Sequence, residues 1–387
     1  MKARAMNTKR NKEYGAVSLF IVIFTMLLLT VITMSFIRIM LSDQRQATAS
    51  DLSQSAYDSA QSGVEDAKRA LLYYQSECAA SAARCSDALA LMNSTTCNAA
   101  LAGVVGDVSG KEVLVQQSVG DSALQQAYTC VKIALQTDDY IGTLNQDASK
   151  LIPLVGVSSF DTVRLEWFSA KDIQGQTVDL PSLSAEAPLL GQTNWTSAAT
   201  PNRPSLMRTQ LMQFSGNNGF TLADFDGGTN TAGTSNANTL FLYPSTIVDM
   251  PKSFVDNTRK VATSPTQVHC DANIGSGGYA CAVNMQLPAP INGGDRAAYL
   301  RLTALYKKTN YRVTLLNGAT PVQFNGVQPQ IDSTGRANDL FRRVQSRVEV
   351  VDSTFPYPDA AVETKGNLCK NFLITDITTD YVNNCTP

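Results

Sequence analysis

Eight cysteines are the residues in this chain with the most evident chemistry: Cys78, Cys85, Cys97, Cys130, Cys270, Cys281, Cys369 and Cys385. An even set of thiols can oxidise to disulfides or ligate a metal as thiolates. No C-x-x-C occurs and the single histidine, His269, has no His partner, so the spacing argues against zinc. Local loops are the economical pairing: Cys78–Cys85, Cys97–Cys130, Cys270–Cys281 and Cys369–Cys385. An interleaved pairing among the first four also fits, because spacing alone does not choose a connectivity. Asp224-Phe225-Asp226 ahead of Gly227-Gly228 alternates carboxylates as a calcium loop does, but the closing Glu is missing. Asp224 and Asp226 are thus a calcium candidate by residue type alone, and the expectation is a polar loop with no resident metal. His269 is the only base for a Ser-His-Asp triad and sits beside Cys270, which favours a structural role. With no nucleophile elbow, P-loop or dinucleotide fingerprint, the chain reads as a non-enzyme without a cofactor.

The elements that carry these residues begin with a charge-free run of 22 residues, Ala16 to Ile37. As a helix it reaches roughly 33 Å, enough to cross a bilayer core. Its hydroxyls (Ser18, Thr25, Thr30, Thr33, Ser35) can bond back to their own helix. Lys2, Arg4, Lys9, Arg10 and Lys12 precede it against one acid, Glu13, which places the N-terminus in the cytoplasm and the remainder outside. All eight cysteines then lie on the oxidising side, which favours disulfides. The run is too long for an ordinary signal core, and Arg38-Ile39-Met40-Leu41 offers no small-x-small site after it. Net charge is −2, leaving the part beyond the leader near −6, with no basic footprint for nucleic acid.

The helix is expected to continue. Leu52, Ala56, Ala60, Gly63, Val64, Ala67 and Leu71 form one small, apolar stripe at three-and-four spacing. Asp51, Gln54, Asp58, Gln61, Glu65, Lys68 and Arg69 fill the other faces. Ala16 to Tyr74 as one helix spans on the order of 90 Å, with Ser50 to Ser62 the place for a kink. The chain therefore divides into a leader (1–15), a transmembrane helix (16–41), its amphipathic continuation (42–75), a mainly helical Cys-containing segment (76–150) and a β-rich exposed domain (151–387). The fold class is α+β: a long N-terminal helix and a large antiparallel β-rich C-terminal domain. Helix is read for Cys78 to Met92 and for the apolar rhythm from Leu124 to Leu135. Strands are read at Val163–Phe168, Leu211–Phe214, Leu240–Tyr243 and Val344–Val351. Tyr299–Tyr306 and Tyr311–Leu316 read as the two arms of a hairpin. Arg342, Arg343 and Arg347 read as solvated strand charges. Trp195, inside a polar loop, is expected to plug the core.

Glu13-Tyr14-Gly15, a basic leader ahead of it and the apolar onset at Ala16 resemble the processing site of type IV prepilins. The resemblance implies cleavage between Gly15 and Ala16 by a prepilin peptidase and methylation of the new amine. Most pilins carry Glu at the fifth mature position, where it pairs with a neighbouring subunit's amine; here that position is Phe20. Gln54-Ser55-Ala56-Tyr57-Asp58-Ser59-Ala60-Gln61-Ser62-Gly63-Val64-Glu65-Asp66-Ala67 is similar to the region after the span in PilX-type minor pilins. The likeness covers residues 10–75. It implies packing against other pilins through the N-terminal helix, handling by an inner-membrane assembly platform, and a structural, adhesive or assembly-initiating role in the pilus, including its tip. A Cys369–Cys385 loop would then shape an exposed face, toward a cell or surface ligand that the sequence does not identify. Two alternatives stand beside this reading: a pseudopilin of a type II secretion system, and a permanently anchored surface receptor or enzyme.

Overall fold

The computed structural model describes residues 14–115, 125–173, 175, 177–181, 195, 200–213, 236–246, 254–255, 266–275, 278–294 and 298–349. It is an α+β fold. One uninterrupted helix, α1 (Tyr14–Ala80), opens it, followed by α2 (Ala82–Met92), a 3-10 turn (Ala99–Leu101) and α3 (Ala102–Val105). At 67 residues α1 is about 100 Å long. The helix is not interrupted over the Ser-rich stretch, where Ser59 Oγ donates to Ser55 O at 2.8 Å and Ser62 Oγ to Asp58 O at 3.0 Å.

The strands are β1 (Val113–Leu114), β2 (Ala127–Thr137), β3 (Tyr140–Leu144), β4 (Ser149–Pro153), β5 (Phe160–Ser169), β6 (Leu206–Gln213), β7 (Asn236–Ser245), β8 (Phe254–Val255), β9 (Thr266–His269) and β10 (Tyr279–Ile291), then β11 (Ala298–Leu305), β12 (Thr309–Asn317), β13 (Thr320–Val322), β14 (Phe324–Ala337) and β15 (Leu340–Arg347). Among the described residues they form three sheets, in the orders β1-β2-β14-β15, β13-β12-β5-β10-β8 with β3 also on β12, and β4-β11-β6-β7-β9. The pairings are antiparallel except β8 on β10 and β9 on β7.

Three expectations change here. Residues 127–137 are strand, not helix: Val131, Ile133, Leu135 and Thr137 are buried while Lys132, Ala134 and Gln136 are exposed, a period of two. Helix in the 76–150 segment therefore ends at Val105, and 150 is no boundary, because β2 pairs with β14 over Thr137↔Phe324 to Ala127↔Arg336. Residues 1–350 belong to one compact unit, and 351–387 to a second that lies outside the described residues. The β11–β12 hairpin is also not formed. β11 pairs with β4 and β6, β12 with β3, β5 and β13, so the two strands sit in different sheets. The turn between them passes through Tyr306 in the left-handed region, φ 72°. Edge-to-edge pairing would line up Leu300, Leu302 and Ala304 with Tyr311, Val313 and Leu315 on one face. Packing the sheets face to face buries both sets against each other, with Trp167, Val283, Met207 and Leu242 in the same core.

The β1-β2-β14-β15 sheet packs on the distal half of α1. Val64, Ala67, Ala70 and Leu71 bury against Tyr128, Val131, Ile133 and Ile331, with Met92 and Leu101 closing the end. The approach is close because both surfaces are small. A Cβ on Gly335 would lie 2.2 Å from Ala56 O and from Ala60 N, and one on Gly63 would lie 2.5 Å from Ser333 Oγ. Ser333 Oγ donates to Ala60 O at 2.7 Å and Tyr128 Oη to Asp66 Oδ2 at 2.8 Å, fixing the register of helix on sheet. Beyond α1, Arg84 grips the buried Glu77 with two bonds of 2.6 and 2.8 Å across the α1–α2 corner. Asn98, fully buried at φ 63°, ties the following loop to β2: its Oδ1 accepts from Val131 N at 2.7 Å and its Nδ2 donates to Lys111 O at 2.6 Å.

Gly335→Ala should therefore lower stability by roughly 1–3 kcal/mol, the usual cost of overpacking. Gly275→Ala, where an added Cβ meets nothing within 4 Å, should leave it unchanged. Thermal unfolding of the full chain in detergent measures both.

Candidate functional site

The proximal half of α1 makes contact with no other described element. Its apolar side chains from Leu19 to Leu41 are exposed, and Phe20 is 74% exposed. A contiguous apolar surface of this size is stable only when lipid or other apolar chains cover it. The stretch is long and apolar enough to cross a membrane. Its hydroxyls bond inward as expected: Thr25 to Ile21 O at 2.9 Å, Thr30 to Leu27 O at 2.8 Å, Thr33 to Leu29 O at 3.0 Å and Ser35 to Val31 O at 2.9 Å. These four hydroxyls are thereby satisfied within the helix and shielded from hydrocarbon. Gly15 and Ala16 lie in the first turn of α1, and residues 1–13 lie outside the described residues. Between Leu41 and the first buried residue, Ala56, the helix is polar and carries the globular part at its far end.

Of the cysteine pairs, Cys78–Cys85, Cys97–Cys130 and Cys270–Cys281 are disulfides, and the interleaved alternative does not occur. The first locks the α1–α2 corner, the second the loop held by Asn98, and the third the junction of β9 with β10. Cys369 and Cys385 lie outside the described residues, as do Asp224 and Asp226. His269 ends β9 with Nε2 3.5 Å from Asp271 Oδ1, beside the third disulfide. Among the described residues no His, Cys, Asp and Glu group has metal-binding geometry. Trp195 is fully buried against Leu206 and Tyr243, its Nε1 donating to Pro204 O at 3.0 Å. Of the three arginines of β15, Arg342 and Arg343 are exposed, as expected of solvated strand charges, and Arg347 is half-buried; each has a partner. Arg342 donates to Ser53 Oγ on α1, Arg343 pairs with Asp332, and Arg347 with Asp139 at 2.9 Å.

A second candidate surface, not foreseen from the sequence, is a cleft of about 950 Å³ beside β3. It is bounded by Lys68 of α1, Thr143 of β3, Lys171 after β5, Tyr279 of β10 and Arg347 and Glu349 at the end of β15. Lys68 pairs with Glu65 at 2.7 Å. Glu349 accepts from Tyr140 Oη at 2.9 Å and also pairs with Lys150. Burial holds the phenols of Tyr140 and Tyr311 far above their ordinary range, so both stay neutral hydrogen-bonding groups. The guanidinium of Arg312 lies over the ring of Tyr279, 5.1 Å from its centroid. Arg312 in turn donates to Glu166 Oε2 at 2.7 Å, and Arg164 donates to Oε1 at 3.2 Å. Burial pushes the Glu166 carboxyl up, but its bonds and charges from Arg312 and Arg164 outweigh that and hold it below its ordinary value. The lining comes from residues between 68 and 349, so no linear spacing could have revealed it.

No protein-family model matches this chain, and no curated protein and no solved structure matches it.

Arg312→Ala should cost roughly 1.5–3 kcal/mol at neutral pH, because it removes the stronger of two charged partners of a buried carboxylate while Arg164 remains. The charged form of Glu166 stabilises the fold fully above its ordinary pKa of 4.5 and loses that contribution as the pH falls through its lower folded value. The gap between wild type and variant should thus narrow below about pH 4.5, measured by denaturant unfolding across pH.

Proposed function

We propose that this protein is a minor, PilX-like subunit of a bacterial type IV pilus, with its exposed domain serving adhesion or filament initiation. The observation that carries the reading is the division of α1. One helix presents a bare apolar half and buries a small-residue half in the domain it supports. Such a rod can wait in a bilayer and then pack among similar helices, since both surroundings cover the same side chains. The basic leader, Gly15 and Ala16 at the onset of the apolar run add the processing signal. Phe20 in place of a carboxylate removes a costly intramembrane charge together with the subunit contact such a charge makes. This suits a subunit present in few copies or at an end. The disulfides suit a domain that works outside the cell. The partners on this reading are other pilins along α1, a prepilin peptidase and the inner-membrane assembly platform.

Mass spectrometry of the native protein should find a chain beginning at N-methyl-Ala16, co-sedimenting with sheared surface fibres. Gly15→Val should leave the leader in place and abolish recovery in fibres. An intact leader in wild type, with the protein confined to the membrane fraction, would overturn the reading in favour of a permanent anchor. Recovery with a secretion pseudopilus would assign it to that machine instead.

A further inference from the structure

We propose that the cleft beside β3 binds a neutral oligosaccharide. Its volume, about 950 Å³, is that of a small-ligand site. Its charges are spoken for: Lys68 by Glu65, Arg347 by Asp139 and Glu349 by Lys150. Lys171 adjoins Asp172, whose carboxylate accepts from Ser169 N at 2.8 Å and Asn310 Nδ2 at 2.7 Å. Three of the charges are paired and Lys171 is balanced in formal charge by its neighbour Asp172, so the groups offer directional donors and acceptors with no net charge to select an ion. The half-buried ring of Tyr279, fixed by Arg312, adds an apolar plate of the kind on which the C–H face of a sugar ring packs.

A peptide strand is the competing occupant, and the edge of β3 is built against it. Ile141 N donates to Gln328 Oε1 at 3.0 Å, and Gln328 Nε2 donates to Ile141 O at 2.8 Å. The amide of Gln328 therefore takes the backbone groups that an added strand would need. Two residues on, Thr143 Oγ1 donates to Asn310 Oδ1 at 2.6 Å, so its hydroxyl oxygen keeps acceptor capacity on the wall of the cleft. The proposal rests on the reading above only for exposure of the domain to its surroundings, and does not need filament assembly.

The test uses the full chain in a zwitterionic, sugar-free detergent, applied to an array of neutral, sialylated and sulfated oligosaccharides and to random peptides. Retention of neutral oligosaccharides is expected. Thr143→Trp, at an exposed position on the wall, should weaken binding at least tenfold with an unchanged melting temperature. Lys171→Gln should change it less than threefold. Failure to retain any neutral oligosaccharide, retention of charged glycans or peptides alone, indifference to Thr143→Trp, or a tenfold loss in Lys171→Gln each overturns the proposal. Fibre co-sedimentation of the same variants reads the pilus assignment separately, so either idea can fail without the other.

Discussion

The close seat of α1 on its sheet is the contact on which the rest of the architecture depends. Helix and strand backbones meet at Gly335, where the carbonyl of Ala56 and the amide of Ala60 occupy the space a side chain would take. Small residues on both sides permit that approach, and dispersion over the whole seam rewards it. Ser333 converts proximity into register by bonding the helix carbonyl of Ala60. Without this seam a helix of 67 residues would be a bare rod, since its proximal half has nothing of its own to pack on.

The covalent and polar fasteners extend the seam outward. Cys78–Cys85 and the Glu77–Arg84 pair turn the chain back at the end of α1, where the helix would otherwise fray. Cys97–Cys130 and Asn98 then bring the returning loop onto β2. β14 finishes the connection. Its Ile331 belongs to the helix-facing core and its Phe324 and Val327 to the sandwich core, so one strand is shared between the two. The register shift between Asn325 and Gln330 marks where it passes from one to the other. Gln328, within that shift, is freed from strand pairing and uses its side chain to hold β3 instead.

This continuity has a functional consequence. On the proposed pilin reading, the apolar half of α1 moves between bilayer and filament while the domain keeps its shape. A helix fixed to its domain by backbone-distance contacts transmits position without changing the domain's interior. The cleft draws walls from α1, from the sandwich and from β15. Its shape therefore depends on the same contact that mounts the domain on the rod.

Composition and periodicity by themselves determined the apolar span, its polar continuation and the α+β class, and made the local cysteine pairings the economical ones, with the structure choosing them over the interleaved set. Each of those rests on local information: the charge-free run from Ala16, the three-and-four stripe from Leu52 to Leu71, and thiols close in the chain. Tertiary structure decided what depends on distant partners. Residues 127–137 carry an apolar rhythm that either element could use, and pairing with β14 selects the strand. Tyr299–Tyr306 and Tyr311–Leu316 alternate as any hairpin does. Only the presence of two sheets to be filled sends them to opposite layers, because burying two apolar faces against each other excludes more water than aligning them on one. The cleft was illegible for the same reason, since Lys68, Tyr279 and Arg347 meet only once two sheets and a helix are in place.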